Sequence, residues 1–218
     1  MHFIVAGLSS IGRNLAELLY KGGIDVVAVD SDEERCSELA ASSDIMIITG
    51  DATEGSVLEE AGVKNATALI ALTNDDSDNL MICMLAKEAG AKRVVSILND
   101  AVHAEAFKKA GIDIQVKPDT IVAKHIYYAV LRPYVKDFFA LGRAELFEIE
   151  IEEGMRCVGK KIPDIETPKG VKILWLERGG EYFNENTTIE PRDRLTLIVD
   201  GKSSKKGSDF MSRCFTKG

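Results

Sequence analysis

Cysteine is sparse and shows no paired spacing: the four, Cys36, Cys83, Cys157 and Cys214, form no CxxC motif. That excludes a zinc ribbon and a thioredoxin-type redox site, and the four are expected to be reduced, mostly buried thiols. Histidine is rarer still. His2, His103 and His125 include no pair spaced to place two rings on one helical face, so no metal site is expected. No apolar run reaches the ~18 to 20 residues of a membrane helix, and the opening MHFIVAG has no basic segment before an apolar one. The expectation is a cytoplasmic chain without direct membrane insertion. Positive charge is in deficit as well, since 27 Lys and Arg against 35 Asp and Glu leave −8 over 218 residues. A phosphate-backbone binder carries the opposite balance, so no nucleic-acid partner is expected.

Catalytic signatures are missing too. The fourth residue after Tyr20, Tyr127, Tyr128, Tyr134 and Tyr182 is Ile24, Leu131, Arg132, Phe138 and Asn186, so the Tyr-x-x-x-Lys pair of short-chain dehydrogenases does not occur. Neither a GxSxG elbow, an HExxH helix nor a GxxxxGK(S/T) loop is present. No catalytic residue is assigned, and the chain is not expected to be an enzyme.

What is there follows two rhythms. Up to about residue 130, short β-branched apolar runs alternate with amphipathic stretches, the pattern of a parallel sheet with crossover helices. Strands are predicted at 2–7, 25–30, 45–50, 68–73, 93–98 and 112–117, and helices near 10–22, 32–42, 54–61, 76–90, 101–110 and 119–132. The runs are apolar at nearly every position, which suits a sheet covered on both faces. The fold class is α/β, with a Rossmann-like doubly wound parallel sheet over 1–132. A short connecting helix is expected over 133–145, a smaller α/β domain over 146–201 and a tail over 202–218. Within the smaller domain, 146–154, 171–180 and 193–201 alternate at period two between glycines, as antiparallel strands do. The tail opens with Ser, Lys and Gly of linker composition, then has an apolar cluster, Phe210, Met211 and Phe215. Weak packing is expected of it.

The first strand runs into Gly7-Leu8-Ser9-Ser10-Ile11-Gly12 and then a helix. This is the setting in which a glycine fingerprint holds a dinucleotide phosphate: Gly7 permits the turn, Gly12 lets helix and strand approach, and the helix N–H groups face the anion. Ser9 departs from the pattern, standing where a second glycine opens the way to the pyrophosphate. The second strand ends at Asp30, placed to accept hydrogen bonds from ribose hydroxyls. A 2′-phosphate would meet Asp30, Asp32 and Glu33 there, so NAD or an adenosine nucleotide is favoured over NADP. Gly50-Asp51-Ala52-Thr53 and Thr73-Asn74-Asp75-Asp76 close the third and fourth strands. Each also reads as a helix cap, but with Gly7 and Asp30 they point into one crevice.

Five phrases, IVAGLSSIGRNLAELL (4–19), VVAVDSDEERC (26–36), GDATEGSVLEEAGV (50–63), ALIALTNDDSDNLMICMLAK (68–87) and AFKKAGIDIQVKPDTIVAKHI (106–126), resemble the regulatory subunits of Trk/Ktr-type potassium uptake systems. These TrkA-like proteins share the domain that regulates potassium conductance (RCK). LFEIEIEEGMRCVGKKIPDI and VKILWLERGGEYFNENTTIEPRDRLTLIV resemble their small RCK C-terminal domain, so the likeness spans most of the chain. It implies that Gly7, Leu8, Ser9, Ser10, Ile11 and Gly12 hold a diphosphate and Asp30 the adenosine ribose. It further implies that Asp51 and Ala52 contact adenine, and that Thr73 and Asn74 line the remaining phosphate or ribose. The implied ligand is NAD(H) or an adenine nucleotide (AMP, ADP or ATP). Ile97 stands where many relatives carry an arginine facing the phosphates, a lost charge-assisted contact that favours a less charged ligand than ATP.

The resemblance also implies a cytoplasmic gating subunit on an integral membrane potassium-translocating partner, assembled as a homodimer and a higher ring. The dimer contact would fall within 119–142, where Ile121, Val122, Ile126, Val130 and Leu131 make one apolar stripe and Phe138, Phe139 and Leu141 a second cluster. The alternative from a different class is an NAD-dependent oxidoreductase with substrate groups in the small domain. Asp75, Asp76 and His103 are its nearest proton-transfer candidates.

Overall fold

A computed structural model describes residues 1–184 and 186–217. It separates into two compact units, Met1–Thr120 and Ile121–Gly218. The first is built from strands β1 (His2–Ala6), β2 (Asp25–Asp30), β3 (Met46–Thr49), β4 (Ala68–Ala71), β5 (Val94–Ile97) and β6 (Ile114–Val116). Between them run α1 (Ser10–Lys21), α2 (Glu33–Ser42), α3 (Gly55–Glu60), α4 (Asp76–Glu88) and α5 (Ala104–Lys109). Every pairing is parallel and the strand order is β3-β2-β1-β4-β5-β6. The order reverses between β1 and β4, which leaves a crevice at their carboxyl ends.

Both faces of this sheet are covered, as continuous apolar strands require. One face buries Ile4, Ala6, Val27, Val29, Leu69 and Ala71 with Ile82, Cys83 and Ala86 of α4. The other buries Val5, Val26, Ala28, Ala68 and Ile70 with Ala16 of α1 and Leu39 of α2. The six predicted strands and six predicted helices are present, with ends displaced by a residue or two; the fifth helical stretch begins as a 3-10 turn, Ala101–His103.

The last of those helices, α6 (Pro118–Leu131), belongs from Ile121 onward to the second unit, so the break falls in the first turn of α6 instead of after the helix. An antiparallel sheet follows: β7 (Val135–Leu141), β8 (Ala144–Glu150), β9 (Val171–Arg178), β10 (Glu181–Phe183) and β11 (Arg194–Asp200), in the order β10-β9-β11-β8-β7. The connecting helix expected over 133–145 is therefore strand β7. Pro133 ends α6, and a two-residue turn, Gly142-Arg143 with Gly142 at φ +60°, pairs Leu141 with Ala144. The register shifts between Val135 and Asp137, so alternation is broken and the next residues part company. Phe138 is buried, whereas Phe139 and Leu141 lie open, and the second apolar cluster dissolves.

The tail also differs from expectation. It forms α7 (Ser204–Cys214), whose Phe210, Met211 and nearby Phe215 are buried with Phe147, Ile149, Leu195 and Leu197 of the sheet. Gly207 brings this helix against β11, because a Cβ there would lie 2.6 Å from Val199 Cγ1. Across the unit, Asp193 is buried and its carboxylate accepts from Arg178 Nε and Nη2 at 2.7 and 2.9 Å and from Glu190 N–H at 2.7 Å. All four cysteines are unpaired, and burial pushes the thiols of Cys83 and Cys157 up to about 12 and about 11. They are poor nucleophiles. Among the described residues no helix is long and apolar enough to cross a membrane, and no cluster of His, Cys, Asp and Glu could hold a metal ion.

Candidate nucleotide crevice

The crevice at the β1/β4 switch point encloses about 590 Å³ including its mouth, and its lining includes Gly7, Ser9, Asp30, Asp51, Ala52, Thr73 and Asn74. Four strand ends thus bring seven of the eleven candidate residues to one cavity. Leu8, Ser10, Ile11 and Gly12 are not among its lining residues. Leu8 turns its side chain into the core and donates its N–H to Asp30 Oδ2, while Ser10 and Ile11 are exposed at the start of α1.

Gly12 acts through packing. A Cβ on it would stand 1.8 Å from the Gly7 carbonyl oxygen, so only hydrogen allows α1 to rise this close to the turn. Gly7 is needed twice over: its φ is +96°, and a Cβ would meet Leu72 C and Thr73 N at 2.8 Å. Ser9 by contrast has φ −59° and ψ 178°, an ordinary conformation for any residue. The middle position of the fingerprint makes no conformational demand for glycine here, which is why serine is accommodated. Ser9 is the N-cap of α1 without a side-chain capping bond, and the helix has no acidic residue in its first turn. Its N-terminal amides stay available to an anion.

Asp30 is buried, with Oδ2 taken by Leu8 N–H and Oδ1 accepting from Asp32 N–H at 2.9 Å. These bonds fix its carboxylate at the end of β2. Asp30 does not cap α2: that role falls to Asp32, which accepts from Glu34 and Arg35 N–H. Asp51 accepts from Thr53 N–H at 2.8 Å and Thr53 Oγ at 2.7 Å, which hold its carboxyl below the usual range, the hydroxyl contributing most.

The loop after β4 is braced from below. Asn79, fully buried, accepts from both the N–H and the hydroxyl of Thr73 at 2.9 Å and donates to the Thr73 carbonyl at 3.0 Å. Asp76 joins this loop to the one after β5, accepting from Asn99 and Asp100 N–H at 2.8 Å and facing His103 Nδ1 at 2.8 Å. Burial alone would raise Asp76, but the bonds from Asn99, His103 and Asp100 outweigh it and its pKa falls. His103 is raised by the same hydrogen bond.

Sequence reasoning passed over two charged lining residues, Arg35 and Asp78. Both sit inside first turns of helices, where a charged residue normally reads as solvated surface. Arg35 reaches back, with Nη1 3.6 Å from Asp30 Oδ2 and Nε 3.4 Å from Asp32 Oδ2. Asp78 has its carboxyl raised, by burial first and then by the charges of Asp75 and Asp51. Ile97 is buried in the sheet and brings no cation to the crevice.

Residues 3–118 match the family model described as the TrkA-N domain. The chain is 32% identical to the Trk system potassium uptake protein TrkA homolog of Methanothermobacter thermautotrophicus, over 95% of this chain and 98% of that one. It is 32% identical to the Trk system potassium uptake protein TrkA of Azorhizobium caulinodans, over 90% of this chain but 44% of that longer protein. Among solved structures it is similar to the GsuK channel bound to NAD, with a TM-score of 0.66 at 18% identity, over 100% of this chain and 40% of that chain.

Proposed function

The chain belongs to the TrkA-N family, and from that membership we propose that it is the cytoplasmic, nucleotide-binding regulatory subunit of a potassium uptake transporter or channel. The observation that carries this is the crevice at the switch point. It joins a glycine turn, an uncapped helix N-terminus and a fixed carboxylate, Asp30, in the arrangement that receives the phosphate and ribose of an adenine nucleotide. In this reading Gly7, Ser9 and the α1 amides, with Leu8, Ser10, Ile11 and Gly12 shaping the turn, hold the phosphates. Asp30 holds the ribose, Asp51 and Ala52 face adenine, and Thr73 and Asn74 line the rest. NAD(H) and the adenine mononucleotides are the ligand class, and NAD is bound in the GsuK channel structure named above.

The output is mechanical: a ligand moves an equilibrium between two shapes only by binding one better, and ~1.4 kcal/mol of preference changes the ratio tenfold. The second unit serves as the small effector or assembly domain of this family. An enzymatic reading has less support, because the one histidine near the crevice, His103, is engaged by Asp76 at 2.8 Å and is not among the lining residues.

Asp30→Ala removes the ribose acceptor together with the anchor for Leu8. Calorimetric titration with NADH or AMP should show at least ~100-fold weaker binding, on the order of 3 kcal/mol for lost bonds to a charged group. Unchanged affinity would remove Asp30 from the site.

A homodimer through α6 completes the proposal. Ile121, Val122, Ile126, Val130 and Leu131 are all exposed, Val130 at 72%, and a row of apolar side chains open to water on one helix marks a contact surface. Ile126→Asp should convert the purified protein from dimer to monomer in sedimentation equilibrium. An Ile126→Asp protein that still sediments as a dimer would place the contact elsewhere.

A further inference from the structure

We propose that one end of the second unit is a membrane-surface contact: a basic patch with two exposed apolar residues beside it, which rests on the anionic headgroups of a lipid bilayer without spanning it. This goes beyond the regulatory reading and does not depend on what the crevice binds.

The fold gathers the patch from segments far apart in the chain. The turn between β7 and β8, the loop before β9 and the passage from β11 into α7 meet at this end. Gly201 N–H donates to the Arg143 carbonyl at 2.7 Å, Asp200 N–H to the Gly170 carbonyl at 2.8 Å and Ser203 Oγ to the Lys169 carbonyl at 3.1 Å. Lys172 pairs with Ile198 in the sheet. Arg143, Lys169, Lys172, Lys202, Lys205 and Lys206 are thereby brought to one end, and all six are exposed.

Their charge runs against that of the protein. The whole chain carries −8, yet the segments that hold these six cations, 142–144, 166–172 and 200–209, contain three carboxylates, Glu166, Asp200 and Asp209. Asp200 is moreover engaged by Lys202 N–H at 3.2 Å. The ion-paired lysines of this unit are Lys124, Lys136 and Lys217, and among the described residues none of the six has an ionic partner. Charges more than about 10 Å away are screened at moderate salt, so an approaching anionic surface meets the local excess of cations and not the net −8. Clustered lysines and arginines of this kind are what anionic lipids attract.

The apolar neighbours select the bilayer from among anionic partners. Phe139 and Leu141 stand two residues apart on β7, hence on one face of the sheet, and are 58% and 60% exposed. Leu141 adjoins the Gly142-Arg143 turn and pairs with Ala144, which lines a shallow hollow with Lys172 and Ile198. Apolar and basic side chains therefore share this face. A duplex backbone offers phosphates and nothing apolar beside them, whereas a bilayer offers headgroup phosphates with hydrocarbon just beneath.

The test is sedimentation of the full chain with vesicles of equal parts phosphatidylglycerol and phosphatidylcholine, against vesicles of phosphatidylcholine alone, at about 0.1 M salt. Binding to the anionic vesicles only is expected. Lys202→Glu, Lys205→Glu and Lys206→Glu combined should weaken it at least about 30-fold, and Leu141→Ser about fivefold. Folding is not at risk, because all four side chains are exposed and acidic residues suit the start of α7. Raising salt to about 0.5 M should release the protein. Equal binding to both vesicles, or to neither, would overturn the proposal, as would a triple variant that binds like the parent. A Leu141→Ser protein that binds vesicles unchanged makes the patch a general polyanion site and overturns the bilayer as its occupant. Tighter binding to duplex DNA than to the vesicles does the same. A Leu141→Ser protein of lower sedimentation mass would assign the apolar pair to a contact between copies of this chain and overturn the proposal too.

Discussion

Gly12→Ala should abolish nucleotide binding and lower the melting temperature of the first unit by on the order of 10 °C. The added methyl has nowhere to go: its carbon would fall 1.8 Å from the Gly7 carbonyl oxygen and 2.9 Å from the Gly7 carbonyl carbon. Either the start of α1 lifts away from the turn or the turn moves, and both carry the α1 amides off the crevice. Relief is blocked on the other side, because Gly7 N–H bonds the Val29 carbonyl at 2.8 Å and the turn rests against Leu72 and Thr73. The cost belongs at or above the upper end of the ~1 to 3 kcal/mol of overpacking, since the clash is with backbone and not with a side chain that can swing aside. Gly55→Ala is the matching control. It lies at the start of α3 with nothing within 4 Å of a built Cβ, so melting and binding should both be unchanged. A Gly12→Ala protein that melts and binds normally would mean that the helix start is far softer than this geometry states.

Removing residues 204–218 should unfold the second unit and leave the first intact, seen by calorimetry as the loss of one of two transitions. Phe210 and Phe215 are fully enclosed and Met211 nearly so, and each Phe→Ala change in a core costs ~3 to 5 kcal/mol. Against the ~5 to 15 kcal/mol that holds a typical domain together, the loss of both rings exceeds what a unit this small can absorb. Phe210→Ala alone should therefore destabilise the second unit by ~3 to 5 kcal/mol in a denaturant titration, without altering nucleotide affinity in the first. A truncated chain that retains both transitions would show that α7 rests on a unit already complete.

Residues 204–218 also mark where sequence reading stops. Their Ser, Lys and Gly content resembles a linker because the residues that pack are few and spaced along one side of α7, while the polar ones face water. Gly207 reads as a helix breaker, yet it is there to let α7 approach Val199. Strand β7 was obscured differently. The register shift between Val135 and Asp137 breaks the two-residue period, and only the Gly142-Arg143 turn marks the hairpin. The crevice was legible where the backbone itself makes the site, at Gly7, Asp30, Asp51 and Thr73, because strand ends and a glycine turn are local features. Arg35 and Asp78 were not, since each reaches the cavity only because the sheet brings its helix alongside another strand's end.

The sequence by itself determined the parallel sheet of the first unit and the crevice at its switch point. Continuous apolar strands must be covered on both faces, and the turn after β1 must be glycine to be that tight. The tertiary structure alone decided the electrostatic character of the site. It set Asp51 and Asp78 in one wall, tied Arg35 to Asp30 and Asp32, turned Arg13 toward Glu38 and left only α1 among α1, α2 and α4 without a carboxylate at its start. Charge acts through space, and residues far apart in the chain become neighbours only when the strands are laid side by side.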